Sequence, residues 1–210
     1  MKDNCKYIMK ISKYEKRDYG STEIENLMKY FKEEVKISKI MGINAIGPRV
    51  YESAIMSVSN YDKIILLMVL EKYEIDLHDF VSNYEINKQQ AKYIIKQLKD
   101  KVNRMHQLGY VHCDIKPANI ILNNITSDTP DVALIDFGTS FYRTGTSDFS
   151  ETIFYYYVKN GILPFVKIYE KNKAKGIKDS EYIGDDYKTN VRSDLYAVEG
   201  VELFIQKLAL

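Results

Sequence analysis

The chain has 210 residues, 45% hydrophobic and 28% charged, with 30 basic residues against 29 acidic and a formal net charge of +1. That length and balance suit one sizeable domain or two small lobes, and they exclude the low-hydrophobicity, high-charge class of disordered chains. Charge this close to zero offers no general electrostatic case for nucleic acid or for an anionic membrane, so neither is an expected partner.

The opening MKDNCKYIMK has no apolar run of signal-peptide length, and no segment approaches the ~18 apolar residues of a membrane span, so the chain reads as cytoplasmic. Its two cysteines, Cys5 and Cys113, make a poor disulfide framework and lack histidines at zinc-ligand spacing, which fits a reducing compartment. Residues 6–11, KYIMKI, are rich in strand formers and predict a strand. Thr22 and Glu25 then form a capping-box pair ahead of Ile24, Leu27, Met28, Phe31 and Val35, whose spacing predicts a helix with one apolar face, ending near Gly42.

In GINAIGPRVYES, Gly42 and Gly47 have the separation of a P-loop, but Pro48 and Arg49 stand where Lys and Ser/Thr are required, so a helix stop and a turn are expected. Val50 to Ser59 and Lys63 to Leu70 read as two strands joined by the turn SNYD. After the polar link EKYEID the character becomes helical. Asn87 is placed to cap a helix carrying Ala91, Ile94, Ile95, Leu98, Val102 and Met105 on one face, stopped by Gly109. The last element, SDLYAVEGVELFIQKLAL, is apolar around most of its circumference, which predicts a buried central helix.

Between these helices lies YVHCDIKPANIILNNITSDTPDVALIDFG, residues 110–138, where His, Asp, Lys, Asn and a second Asp crowd against apolar runs. Polar groups beside buried segments are costly unless paired, so the crowding requires a reason. Asp114, Lys116 and Asn119 fall in a loop that Pro117 keeps from being helical, and Asp136 follows the strand-like VALI. An amide and a carboxylate at the ends of adjacent short strands are hard ligands suited to Mg²⁺. A metal clamp, a carboxylate to orient an attacking hydroxyl and a nearby cation are the set that phosphoryl transfer needs.

H-C-D-I-K-P-A-N resembles the catalytic loop of the eukaryotic-type protein kinase superfamily, Ser/Thr type, and D-F-G resembles that family's metal-binding signature. The resemblance implies an α+β, protein-kinase-like two-lobe fold. Its N-lobe, residues 1–70, would be reduced to an antiparallel sheet plus one helix, with a hinge at 71–76 and a truncated helical C-lobe at 77–210 ending at the central helix. It further implies ATP and Mg²⁺ as cofactors, with Mn²⁺ as a substitute, and a protein hydroxyl as substrate. By the same resemblance Asp114 would orient that hydroxyl, Lys116 would sit against the γ-phosphate, and Asn119 and Asp136 would hold the metal. His112 would be structural.

Lys10, in YIMKI, resembles the strand lysine that meets the α/β-phosphates, and helical phase selects Glu34 over Glu33 as its partner. Leu70 and Glu71 resemble the gatekeeper and the first hinge residue, whose backbone would meet adenine, and Asp76 would reach the ribose. Ser193 and Asp194 resemble the start of the C-lobe's central helix, where the aspartate anchors the catalytic loop. No G-x-G-x-x-G occurs, and the family's lid strands and last helices have no counterpart, which predicts weak activity and a partner protein covering the trimmed lobes. Cys113 replaces the arginine of H-R-D, so activation by phosphorylation at Thr144, Thr146, Ser147, Ser150 or Thr152 is not expected, and ILPF near Pro164 is a degenerate substitute for A-P-E.

Two functions follow: a Ser/Thr protein kinase, or a kinase mimic that binds a host kinase or its substrate. A small-molecule phosphotransferase is disfavoured because that class usually lacks a lysine at the position of Lys116. Trimmed chains of this kind resemble those encoded by large DNA viruses, which would place this one in a host cytoplasm.

Overall fold

The computed structural model describes residues 6–58, 62–143 and 187–209. Two compact units are present, Met1–Lys72 and Tyr73–Leu210.

In the first unit, β1 (Tyr7–Glu15), β2 (Val50–Val58) and β3 (Lys63–Glu71) form an antiparallel sheet in the order β1-β3-β2, with α1 (Ser21–Ile43) packed on it. β3 explains the arrangement. Its sequence KIILLMVLE is apolar at nearly every position, as a central strand must be, and Ile64, Leu66 and Met68 are buried on one face. They meet Phe31 and Val35 of α1, with Tyr14, Ile24, Val50, Ile55 and Leu70 around them. Each such buried side chain is worth about 1.5–3 kcal/mol of transfer free energy, which is what holds the helix to the sheet.

The structure corrects two boundaries. β1 runs on to Glu15, well past residue 11. The start of α1 is set not by Thr22 and Glu25 but by Gly20, whose N–H donates to Glu23 Oε2 at 2.7 Å. The carboxylate three residues beyond the cap satisfies one of the helix's orphan donors, and glycine at the cap leaves that return path open. Gly42 is not a simple stop either. It lies in the last turn of α1, where a Cβ would come within 2.7 Å of the Pro48 carbonyl oxygen.

The second unit contains a short antiparallel sheet, β4 (Ile75–Asp76), β6 (Ile120–Asn123) and β7 (Asp131–Leu134) in the order β4-β6-β7. A two-stranded ladder pairs β5 (Tyr110–Val111) with β8 (Phe141–Tyr142). Its helices among the described residues are α2 (Leu77–Asn83), α3 (Lys88–Gln107) and α4 (Tyr187–Leu208). Asn87 caps α3, its Oδ1 accepting the N–H groups of Gln89 at 2.9 Å and Gln90 at 2.8 Å. All six residues of the anticipated apolar stripe of α3 are buried. The helix ends where Gly109 takes φ +85°, a left-handed conformation that glycine enters without penalty.

α4 packs against α3 but is buried on one side only. Ala197, Val198, Val201 and Ile205 face inward, whereas Leu195, Leu203 and Leu208 remain about 40% exposed. An all-round apolar helix was the expectation; its far side has no cover among the described residues. The hydroxyl residues from Thr144 to Thr152, and Pro164, lie outside the described residues.

Gly42→Ala should lower the urea midpoint, with a loss of about 1–3 kcal/mol, because the added methyl meets backbone that cannot rotate away. A midpoint equal to wild type would show that the 47–49 turn yields freely.

Candidate active site

In the second unit the loop from His112 to Asn119 gathers the polar residues anticipated from sequence. Asp114 is buried, and its Oδ2 accepts from Lys116 Nζ at 2.8 Å and from Asn119 Nδ2 at 2.8 Å. Asn119 Nδ2 also donates to the Asp114 carbonyl at 2.9 Å. Both amide hydrogens of Asn119 are therefore committed to Asp114, which orients the amide. Its Oδ1 is left as a buried acceptor with no hydrogen-bond partner among the described residues, a donor atom of the hard oxygen type that Mg²⁺ takes.

The residue before Asp136 is tied to this loop, because Ile135 N–H donates to the Asn119 carbonyl at 3.0 Å. Asp136 itself is exposed and left-handed, φ 65° and ψ 67°, and caps the short 3-10 turn Phe137–Thr139. A non-glycine residue held there costs about 1–3 kcal/mol, and such strain collects at functional sites. Cys113, with φ 66°, carries the same kind of strain one residue before Asp114.

His112 is fully buried, and its contacts fix its tautomer. Nε2 lies 3.1 Å from the Ile135 carbonyl and so donates; Nδ1 then accepts the Asp114 N–H at 3.2 Å. Its carbonyl accepts from the hydroxyls of Thr139 at 2.9 Å and Ser140 at 3.2 Å, and its ring packs against Phe137 with centroids 5.2 Å apart. One imidazole thus ties the Asp114 loop to the segment after β7, a structural role.

Asp194 of α4 holds the loop from below. It is 1% exposed, and its two oxygens accept the N–H groups of His112 at 2.8 Å and Cys113 at 2.9 Å, together with His106 Nε2 at 2.9 Å. His106 was not anticipated; the only hint in the sequence is a histidine beside the buried stripe in the last turn of α3. The Cys113 thiol is pushed far above its usual range, first by desolvation and then by the carboxylates of Asp194 and Asp114.

In the first unit Lys10 Nζ contacts Glu34 Oε1 at 2.6 Å, whereas Glu33 pairs with Lys36 at 3.1 Å, as helical phase requires. Leu70 packs at the margin of the β3–α1 core. Glu71 closes β3; its N–H donates to the Arg49 carbonyl at 2.9 Å and its Oε2 accepts the Arg49 N–H at 3.2 Å. The Glu71 N–H is thus bonded within the first unit. Asp76 in the second unit caps α2, with Oδ1 accepting the Asp79 N–H at 2.9 Å.

Residues 1–175 match the family model described as protein kinase domain, and the chain belongs to that family. Among similar curated proteins is the serine/threonine-protein kinase dkf-2 of Caenorhabditis briggsae, 33% identical over 76 residues, covering 35% of this chain and 6% of that one. The serine/threonine-protein kinase cds1 of Schizosaccharomyces pombe is 37% identical over 89 residues, 41% of this chain and 18% of that one. The mitogen-activated protein kinase mpkB of Aspergillus fumigatus is 30% identical over 122 residues, 58% of this chain and 30% of that one. The chain spans no more than 30% of the length of these relatives. A chain of the yeast RNA Pol II CTD kinase CTDK-1 complex superposes with a TM-score of 0.46 at 23% identity, covering 64% of this chain and 39% of that one. The kinase fold rests on the family match.

Replacing Asp194 by Ala would strand two backbone donors and the His106 ring N–H, each costing about 1–3 kcal/mol when buried. A fall of several kcal/mol in urea unfolding is expected, and a fall below about 1 kcal/mol would mean that water replaces the carboxylate. Iodoacetamide at pH 8 should label Cys113 in the folded chain about tenfold or more slowly than in the urea-unfolded chain, read by peptide mass mapping. Equal rates would contradict the desolvated thiol.

Proposed function

We propose that the chain is an ATP- and Mg²⁺-dependent serine/threonine protein kinase that transfers the γ-phosphate to a protein hydroxyl. The observation that carries this reading is the buried Asp114 carboxylate, held between Lys116 and Asn119. No fold requirement explains that set, since an apolar loop would be cheaper to bury.

In the proposed reaction Asp114 accepts a hydrogen bond from the substrate hydroxyl and orients its oxygen toward the phosphorus. Lys116, within reach of Asp114, then places a positive charge beside the transferred group. The oriented Oδ1 of Asn119 and the carboxylate of Asp136 are the residues that would hold Mg²⁺. When bound, the ion neutralises charge on the phosphate oxygens. Lys10, paired with Glu34 in the first unit, is the residue that the family resemblance would assign to the other phosphates. Serine/threonine rather than tyrosine specificity is supported by Lys116 and by the likeness to serine/threonine-protein kinases.

Radiolabelled transfer from ATP to a generic protein substrate and to the chain itself, with Mg²⁺ or Mn²⁺, tests this. Asp114→Asn should reduce transfer by about 10²–10⁴-fold while ATP still raises the melting temperature. Wild-type protein that binds ATP and transfers nothing would overturn the proposal.

One observation favours a second reading, a kinase mimic that acts by binding. β1 lies at the sheet edge with Tyr7, Ile8, Met9 and Ile11 all exposed, an edge suited to a partner strand. Under that reading Asp114→Asn would keep the full biological effect.

A further inference from the structure

The solvent face of α3 presents an unusual distribution of charge. Lys88, Lys92, Lys96 and Lys99 succeed one another at intervals of four, four and three residues, so all four lie on one side of the helix within about 80° of arc. Lys88, Lys92, Lys96 and Lys99 are all exposed. Lys99 is bridged to Glu202 of α4 at 2.6 Å. Lys88, Lys92 and Lys96 make no ion pair among the described residues. Asp100, one turn beyond Lys96 and on the flank of the row, makes none with it.

This arrangement works against the helix that carries it. Like charges at i,i+4 destabilise a helix by about 0.2–0.5 kcal/mol per pair, and a cation in the first turn, where Lys88 sits, opposes the helix dipole. α1 also carries several lysines but resolves the problem. Its exposed face intersperses Glu25 and Glu33 among Lys29, Lys32 and Lys36, with Lys36 bonded to Glu33. The two helices share one chain and one composition, so a general preference for lysine does not explain the difference. A local rule broken without internal compensation points to a counter-charge from outside.

We propose that the Lys88–Lys92–Lys96 row, extended by Lys99, is a docking surface for an acidic segment of a partner polypeptide. Ammonium groups at successive turns repeat every ~6 Å along the axis, the spacing of glutamates at i,i+4 on a helix laid alongside. Charge complementarity selects the partner, and the absence of exposed large apolar side chains on the row makes the contact electrostatic and salt-sensitive. The surface is made of α3 alone and does not depend on phosphoryl transfer.

The test is fluorescence anisotropy at low salt with a labelled, helix-forming peptide carrying Glu at every fourth position, beside its Gln counterpart and an RNA oligonucleotide of equal charge. Wild type should bind the Glu peptide, and binding should weaken as salt rises. Lys88→Glu/Lys92→Glu/Lys96→Glu should weaken it by roughly tenfold or more, and Lys29→Glu/Lys32→Glu/Lys39→Glu on α1, with the same change in net charge, by about twofold or less. Circular dichroism checks folding, and the α3 triple Gln variant, expected to lose part of the affinity, serves if the Glu variant unfolds. Equal losses in the two Glu variants, no binding by wild type, or tighter binding of RNA would each overturn the proposal.

Discussion

The Asp194 carboxylate is the constraint on which the candidate site depends. The loop carrying Asp114 turns through a left-handed Cys113, a conformation that a non-glycine residue does not keep unaided. Asp194 keeps it by accepting the two successive N–H groups of His112 and Cys113, bonds strengthened by the negative charge and by the absence of competing water. Because α4 is long and packed along α3, the carboxylate is delivered by a rigid element, and that rigidity passes to Asp114. His106 reaches the same carboxylate from α3, so α3, the loop that follows it and the sequence-distant α4 meet at one buried charge.

A second junction, His112, connects that loop to the metal-ligand candidates. Its ring bonds the Ile135 carbonyl, its carbonyl receives two hydroxyls from the turn after Asp136, and its Nδ1 receives the Asp114 amide. With the Ile135 amide bonded to Asn119, the loop and the strand end move as one body. Precision at Asp114 and Asn119 is therefore inherited from backbone bonds, which are stiffer than side-chain packing.

Much of this was legible in the sequence, and the reason is period and spacing. α3 announced itself by six apolar residues at helical intervals, a cap at Asn87 and a glycine stop at Gly109, all of them local signals. The choice of Glu34 over Glu33 followed from phase alone, since adjacent helical residues diverge by about 100°. What escaped were contacts made by groups far apart in the chain. His106 and Asp194 are 88 residues apart, and no local pattern couples them. The bonds between Glu71 and Arg49 likewise join residues far apart, where the ladder's register slips near Tyr51, and the cap at Gly20, though local, has no side chain to advertise it. α4 leaves Leu195, Leu203 and Leu208 exposed because an apolar circumference reports what a helix could bury, while actual burial depends on neighbours.

Cys113 gains a physical account from the charges around it. Arginine, the residue the family pattern has there, would bring a cation between two buried carboxylates. Cysteine brings none, and its thiol is pushed up first by burial and then by the carboxylates of Asp194 and Asp114. Two uncompensated buried carboxylates would be untenable, so each must be balanced elsewhere. Asp114 is balanced by the Lys116 ammonium and the Asn119 amide, and Asp194 by two amides and the His106 ring. Among the described residues, then, the loop is held by a carboxylate, two amides and a histidine ring in the place where the family pattern has a guanidinium.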